Sequence, residues 1–381
     1  MTLSANWSFP TSIRFGEGRV CELADVCQQS GISNPLLVTD RVLAEFPMIT
    51  RVISILKEGG FNPVLFSKVD PNPTERNVEE GLELYRSGHH DGVIAMGGGS
   101  ALDLGKILAF MVRQQRPLWD FEDIGDWWKR ADEKVIDPII AIPTTSGTGA
   151  EVGRASVITD SVNHLKKIIF HPKILPSQVI CDPQLTVTMP QVVTVGTGMD
   201  ALVHCIEAFS SPHYHPMSQG IALEGMRLVF NNLPKVFNDG GDIVARSHLM
   251  SAAAMGAVAF QKGLGASHAV SHSVGALYNT PHGMTNAVVI PYVLEMNREA
   301  IEKQISGAAN YLDMPGGFDG FHGHLTAMSR ELNVPQKLAD LGVDRKHIDV
   351  LTRMALEDPS AAGNPIKMEY KNTRALIEAS L

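Results

Sequence analysis

The stretch GVIAMGGGSALDLGKILAFMV, residues 92–112, decides the fold. Gly92 to Met96 is an apolar run of strand length, Gly97-Gly98-Gly99-Ser100 follows it, and Ala101 to Val112 carries helical apolar spacing. A strand running through a Gly-rich turn into a helix lets backbone N–H groups approach phosphate oxygens at the positive end of the helix dipole. The turn is not the G-x-G-x-x-G fingerprint, and a bare glycine triplet also makes a tight turn with no ligand. Asp103, early in the same helix, reads as a hydroxyl acceptor or as a carboxylate that complements the dipole.

Upstream, NPLLVT (34–39) reads as a strand ending at Asp40, Phe46 to Lys57 as a helix, NPVLFS (62–67) as a strand and Glu75 to Arg86 as a helix. Downstream, IIAI (139–142) is a further buried strand, followed by PTTSGTG (143–149), a loop dense in hydroxyls and glycines. Short β-branched runs alternating with helical patterns predict a parallel sheet with crossover helices, a Rossmann-like α/β domain, and the Gly-rich turn gives it a place for a dinucleotide. Asp40, at a strand end, fits a carboxylate that accepts from adenosine ribose hydroxyls and repels a 2′-phosphate, which favours NAD over NADP. A turn-forming Asp has the same appearance. Thr144, Thr145 and Thr148 are more hydroxyls than a turn requires.

Near Asp182-Pro183 the character changes, and from Pro190 the chain is Ala- and Met-rich with helical periodicity. Helices are expected over Val192–Ser210, Met217–Asn231, Ile243–Gln261 and Ser267–Tyr278, with more between Asn286 and Leu381. The division is therefore 1–185, α/β, and 186–381, all-helical. MPGGFDG (314–320) reads as an interhelical loop, and the charged, aromatic segment 119–134 as an exposed excursion.

The second half carries Asp200 and His204 four apart in TGMDALVHCIEAF, then His268, His272 and His282 in KGLGASHAVSHSVGALYNTPHG. Residues i and i+4 share a helix face, so Asp200 and His204 reach one ion together, and His268 and His272 repeat that spacing. A carboxylate with imidazoles in an uncharged, Gly-rich stretch makes a first shell for a divalent transition metal. Spacing alone does not choose among the four histidines. A dinucleotide on one domain and a metal on the other imply hydride transfer between nicotinamide and a metal-bound alcohol, since a metal lowers the pKa of bound water from about 15.7 to about 7.

With 381 residues, 44% hydrophobic and 19% charged, the chain suffices for two domains with sizeable cores. A net charge of −9 and scattered Lys and Arg exclude the basic footprint that nucleic acid requires. Cys21, Cys27, Cys181 and Cys205 form no C-x-x-C pair, the pattern of free thiols in a reducing compartment. The first residues, MTLSANWSFP, lack a signal-peptide pattern, and no apolar stretch approaches the roughly 20 residues of a membrane span, so a cytoplasmic location without a membrane partner is expected.

Taken together, LLVTD (36–40), PNPT (71–74), GGGSALDLGK (97–106), IPTTSGTGAEV (142–152), Lys166-Lys167, TGMDALVHCIEAF (197–209) and GLGASHAVSHSVGALYNTPHGMTNAVVIPYV (263–293) resemble the iron-containing, or group III, alcohol dehydrogenases, essentially end to end. The resemblance implies the two-domain fold shared with dehydroquinate synthase. It implies Asp200, His204, His268 and His282 as metal ligands and His272 as the active-site histidine beside nicotinamide and substrate. For NAD it implies Asp40 on the ribose, Asn72 nearby, Gly98, Gly99 and Ser100 on the pyrophosphate, and Asp103, Thr144, Thr145, Thr148 and Lys167 along the dinucleotide. The metal positions follow the family pattern, unlike those of maleylacetate reductases and the three-ligand zinc site of glycerol dehydrogenase-like relatives.

One oxygen and three nitrogens without thiolate suit Fe(II), Zn, Co, Ni or Mn; iron is what the resemblance implies, with zinc the alternative that affinity order favours. The expected activity is NAD-dependent oxidation of a small primary alcohol, or reduction of its aldehyde, by a homo-oligomer, a dimer or larger. A metal- and NAD-dependent lyase of the dehydroquinate synthase type is the second reading, and it requires basic residues for an acidic substrate. Only Arg154, Lys166, Lys167 and Lys262 lie around the ligand segments. A non-catalytic binding module leaves the two constellations without a use.

Overall fold

A computed structural model describes Phe9 and residues 11–163 and 165–381. The chain divides into two compact units, one of Phe9–Thr145 and Gly149–Thr188, the other of Ser146–Thr148 and Met189–Leu381.

In the first unit the strands are β1 (Ser12–Phe15), β2 (Pro35–Asp40), β3 (Val64–Val69), β4 (Gly92–Gly97), β5 (Ile139–Pro143), β6 (Ala155–Asp160), β7 (Leu165–Phe170) and β8 (Gln178–Cys181). Six of them form a parallel sheet in the order β1-β8-β5-β4-β2-β3, and β6 and β7 pair antiparallel beside it as a separate hairpin. Every residue of β4 and β5 is buried, as expected of parallel strands covered on both faces. The helices are α1 (Leu23–Gln29), α2 (Pro47–Glu58), α3 (Glu75–Ser87) and α4 (Gly99–Met111). Leu37, Ile94, Ile140 and Ile142 from the sheet pack with Leu23, Val26, Ile49, Val52 and Leu56 from α1 and α2. The chain leaves β2 for β3 on one side and β4 for β5 on the other, so the adjoining C-terminal ends of β2 and β4 mark the switch point where α/β sheets bind ligands.

The second unit is helical: α5 (Gln191–Ser210), α6 (Pro216–Asn238), α7 (Ile243–Ala259), α8 (Ala266–Tyr278), α9 (His282–Tyr311), α10 (Gly317–Glu331), α11 (Ile348–Glu357) and α12 (Tyr370–Ser380). Helix α5 runs through its centre, with nearly every residue from Thr194 to Ser210 buried. Glycines let backbones approach there: a Cβ on Gly283 would stand 2.1 Å from the Gly196 carbonyl oxygen, and one on Gly198 2.5 Å from Leu233. The sequence NTPHG sets the turn between α8 and α9. Asn279 closes α8 in the left-handed region (φ 54°), and Pro281 precedes His282, the first residue of α9.

Several expectations are corrected. By length and composition Gln191–Ser210 and Ile243–Lys262 do reach membrane-span character, but 78% and 56% of those windows are buried within the protein, because these are core helices. The helix expected to end at Asn231 continues through Pro234 to Asn238. The 314–320 loop is shorter, since α10 already begins at Gly317. Segment 119–134 is a series of 3₁₀ turns, not simply an exposed excursion: Phe121 is fully buried with its ring 5.0 Å from that of Phe110.

Candidate active site

The expected cofactor residues of the first unit gather at the C-terminal ends of its strands. Asp40 closes β2 and its Oδ1 accepts from the N–H groups of Val42 (3.0 Å) and Leu43 (2.8 Å). Gly97 closes β4 at φ +149°, where a Cβ would meet Ala101 at 2.7 Å and lie 3.7 Å from Asp40 Oδ2, so only glycine fits beside that carboxylate. Gly98 precedes α4, and Gly99 and Ser100 open it. Ser100 Oγ donates to Pro71 O (2.6 Å), which ties the turn to the loop carrying Asn72. Thr144 N–H donates to Gly97 O (3.0 Å), and Thr145 lies beside Gly98, its Cγ2 3.4 Å from a Cβ built there. This bare, glycine-walled turn at a helix start suits a pyrophosphate.

Two further expected residues also contact the hairpin and its neighbours. The Asp103 carboxylate takes the buried Lys106 ammonium (3.0 Å) and the Val157 N–H (3.0 Å). Lys167 lies 3.1 Å from Asp160 and 3.4 Å from Glu122, with Nζ 4.9 Å from the centre of the Trp119 ring. By its contacts Thr148 belongs to the helical unit, and Thr144 and Thr145 belong to the first.

In that helical unit, donor atoms of Asp200, His204 and His268 lie within 4.8 Å of one another, all three side chains buried. Helix α5 supplies the first two, one turn apart, and His268 is the third residue of α8. His282 joins through Asp200, its Nε2 3.5 Å from Asp200 Oδ1, and is partly exposed. His272, one turn beyond His268, stacks on His282 with ring centres 5.2 Å apart, and its Nδ1 lies 2.9 Å from Asp358 Oδ2.

The donor set fits a divalent transition metal, because the outward nitrogens of His268 and His282 are already engaged. His268 Nδ1 donates to Glu207 Oε2 (2.6 Å), which leaves Nε2 facing Asp200. Ser271 Oγ donates to the His282 carbonyl (3.1 Å) and accepts from His282 Nδ1 (3.0 Å), which again leaves Nε2. Asn286 Nδ2 donates to Asp200 Oδ1 (2.9 Å) and lies 3.3 and 3.2 Å from the Nε2 atoms of His268 and His282.

Charge is distributed accordingly. Burial alone would raise the Asp200 pKa, but His204, His282, His268 and the Asn286 amide together hold it down to about 2, an anionic carboxylate. Burial lowers His204 to about 4 against the pull of Asp200, so its imidazole is neutral and keeps a lone pair. For His268 burial acts downward, and Glu207 and Asp200 outweigh it, raising the pKa above its ordinary value.

Sequence reasoning did not identify Glu207, Asn286, Ser271 or Asp358. Glu207 had a signal: it lies seven residues after Asp200 on the same helix face, in a helix otherwise free of charge. Asn286 lies one turn after His282. Asp358 reaches His272 from 86 residues away, which no local pattern reveals.

The profile of the iron-containing alcohol dehydrogenases matches residues 10–183, and that of the C-terminal domain of the same family matches residues 194–381. The chain belongs to the iron-containing alcohol dehydrogenase family. It is thereby an oxidoreductase of a family whose members use NAD and a divalent metal, usually iron. It is 35% identical to 4-hydroxybutyrate dehydrogenase of Cupriavidus necator, over 97% of this chain and 98% of that protein. The structure of 1,3-propanediol oxidoreductase superposes with a TM-score of 0.94 at 31% identity, covering 99% of both chains. That of sulfoacetaldehyde reductase from Bifidobacterium kashiwanohense, in complex with NAD+, superposes with a TM-score of 0.91 at 28% identity, covering 100% and 99%. The lyase alternative is not favoured by these relatives.

Proposed function

We propose that the protein transfers hydride between NAD and the terminal carbon of a small primary alcohol, with Asp200, His204, His268 and His282 holding the metal. The observation that carries the reading is the buried cluster of Asp200, His204 and His268. The relatives named above act on 4-hydroxybutyrate, 1,3-propanediol and sulfoacetaldehyde, and the terminal alcohol or aldehyde carbon common to those compounds supports a primary alcohol or its aldehyde here.

A metal held by these residues would supply Lewis acidity, lowering the pKa of an alcohol hydroxyl. Asp200 contributes the anionic donor, and His204 a neutral imidazole. His272 takes the proton that the alcohol releases, with Asp358 fixing its Nδ1. For the cofactor we assign Asp40 and Asn72 to the adenosine end, Gly98, Gly99 and Ser100 to the pyrophosphate, and Asp103, Thr144, Thr145, Thr148 and Lys167 along the dinucleotide. The ring of glycines at the end of β4 supports the pyrophosphate assignment.

Residues 1–185 then form the NAD-binding domain and 186–381 the metal-binding domain, a division supported by the contact boundary at Thr188. A cytoplasmic homo-oligomer completes the reading; the four unpaired cysteines support a reducing compartment, and light scattering tests the assembly. The deciding experiment reconstitutes the protein with Fe(II) or Zn(II) and screens NAD reduction over primary alcohols, diols and hydroxy acids. Turnover of primary alcohols is expected. NAD binding without turnover of any alcohol would refute the assignment.

A further inference from the structure

We infer that Glu207 is a positioning residue for the metal, setting both the ring orientation of His268 and the start of the helix that carries it. The inference rests on the ligand assignment proposed above. Glu207 is 4% exposed, and within α5 it stands two turns beyond Asp200. His268 lies between the two carboxylates. Its Nδ1 is 2.6 Å from Glu207 Oε2 and its Nε2 is 3.9 Å from Asp200 Oδ1. A carboxylate is acceptor-only, so the Nδ1 hydrogen is committed to Glu207 and the Nε2 lone pair is presented toward Asp200. A half-turn of the ring would break that bond.

The same carboxylate organises the first turn of α8. Oε1 accepts from the Ser267 N–H (2.6 Å) and Oε2 from the Gly265 N–H (3.1 Å). The intervening Ala266 N–H goes to Asn364 Oδ1 (3.1 Å), whose own amide pairs with Asn297 through contacts of 2.9 and 2.8 Å. Three successive N–H groups at the helix start are thus satisfied by buried side chains rather than by water. The approach is possible because residue 265 is glycine: a Cβ there would lie 2.9 Å from Asn364 Oδ1 and 3.1 Å from Glu207 Oε1.

Capping alone does not explain the choice of residue, since Ser, Asn or Asp satisfy a helix start. The three donors that converge on Glu207 need one side chain with several acceptor sites and no hydrogen of its own, which a carboxylate provides and an amide does not. An uncompensated buried carboxylate is costly, and here among the described residues its ionic partner is His268 alone. Residues that hold the outer nitrogen of a metal-binding histidine typically contribute about 10- to 100-fold in metal affinity.

The test uses the full chain, stripped of metal and titrated with Co(II) against a competing chelator, for wild type, Glu207→Gln, Asn364→Ala and His268→Ala. Glu207→Gln should weaken Co(II) binding by about 10- to 100-fold and shift the visible absorption of the bound ion. Asn364→Ala removes an acceptor from the same helix start without touching His268, so it should lower the melting temperature of the metal-free protein and leave the Co(II) constant near that of wild type. Glu207→Gln with the wild-type constant and spectrum would overturn the inference. If Glu207→Gln does not fold, selective ¹⁵N-histidine NMR of the metal-loaded wild type decides: a low-field Nδ1 proton that disappears in His268→Ala is expected, and its absence refutes the assignment. Wild type that binds no Co(II), or His268→Ala that binds as wild type does, would instead sink the ligand assignment on which the inference stands.

Discussion

Gly283, in the PHG turn that opens α9, is the position where one added methyl group reports on the whole metal centre. A Cβ there would stand 2.1 Å from the Gly196 carbonyl oxygen, 2.8 Å from its carbon and 2.9 Å from Asp200 Cβ. Comfortable contact is about 3.5 Å, so the closest approach of 2.1 Å falls short by about 1.4 Å. Two of the three atoms belong to the α5 backbone, and the third is the root of the Asp200 side chain. No rotamer change relieves the overlap; α5 and the start of α9 must separate. Overpacking of this kind costs about 1–3 kcal/mol, offset by less than about 1 kcal/mol from the better helix propensity of Ala. For a helical unit of this size that lowers the melting temperature by roughly 2–4 °C per kcal/mol. The separation also moves His282 from Asp200, now 3.5 Å away, so the variant should lose metal as well as stability. Scanning calorimetry and metal analysis on Gly283→Ala check both. A variant with the melting temperature and metal content of wild type would refute the packing argument and the coupling drawn from it.

Lys262 is buried, its ammonium donates to Phe209 O at 2.8 Å, and burial lowers its pKa from 10.5 to about 8. Between those values the unfolded chain binds more protons than the folded one, so stability due to this group rises with pH across that window. Lys262→Met should be more stable than wild type at pH 7, by up to about 3 kcal/mol, with the gap narrowing toward pH 10.5 in urea titrations. Glu151 is the opposite case: burial outweighs its backbone contact and Lys106 and raises its pKa from 4.5 to about 7. Its folded form holds the extra proton, so stability falls as pH rises from 4.5 to 7, and Glu151→Gln should gain on wild type over that range in the same assay. His272→Ala should depress turnover far more than metal content; equal losses would make it a ligand or a structural prop.

The strand-turn-helix unit at 92–112 was legible because a run of buried apolar residues, a glycine turn and a periodic helix are all local signals. Strands β1 and β8 were not, since four residues each, paired across more than 160 positions, carry no periodicity to detect. The same division runs through the candidate site. Asp200 and His204 announce themselves by helical spacing, and the family pattern separates His268 and His282 from His272. The groups that hold Asp200, His282 and His272 are silent in the sequence, because Asn286, Ser271 and Asp358 have ordinary polar roles elsewhere and acquire these through tertiary packing. Helix α5 shows a related ambiguity: its apolar composition suits a membrane as well as a core, and burial against its neighbours decides.

The central claim is that hydride passes from an alcohol carbon to nicotinamide only when Asp200, His204, His268 and His282 hold a metal. It is tested most directly with a primary alcohol deuterated at its hydroxyl-bearing carbon, NAD, and the protein either metal-loaded or chelator-stripped. Deuterium is expected at C4 of the NADH formed by the loaded wild type, and none with the stripped protein or with Asp200→Ala. Deuterium transfer by the stripped protein, or turnover that leaves no label on the cofactor, would contradict it.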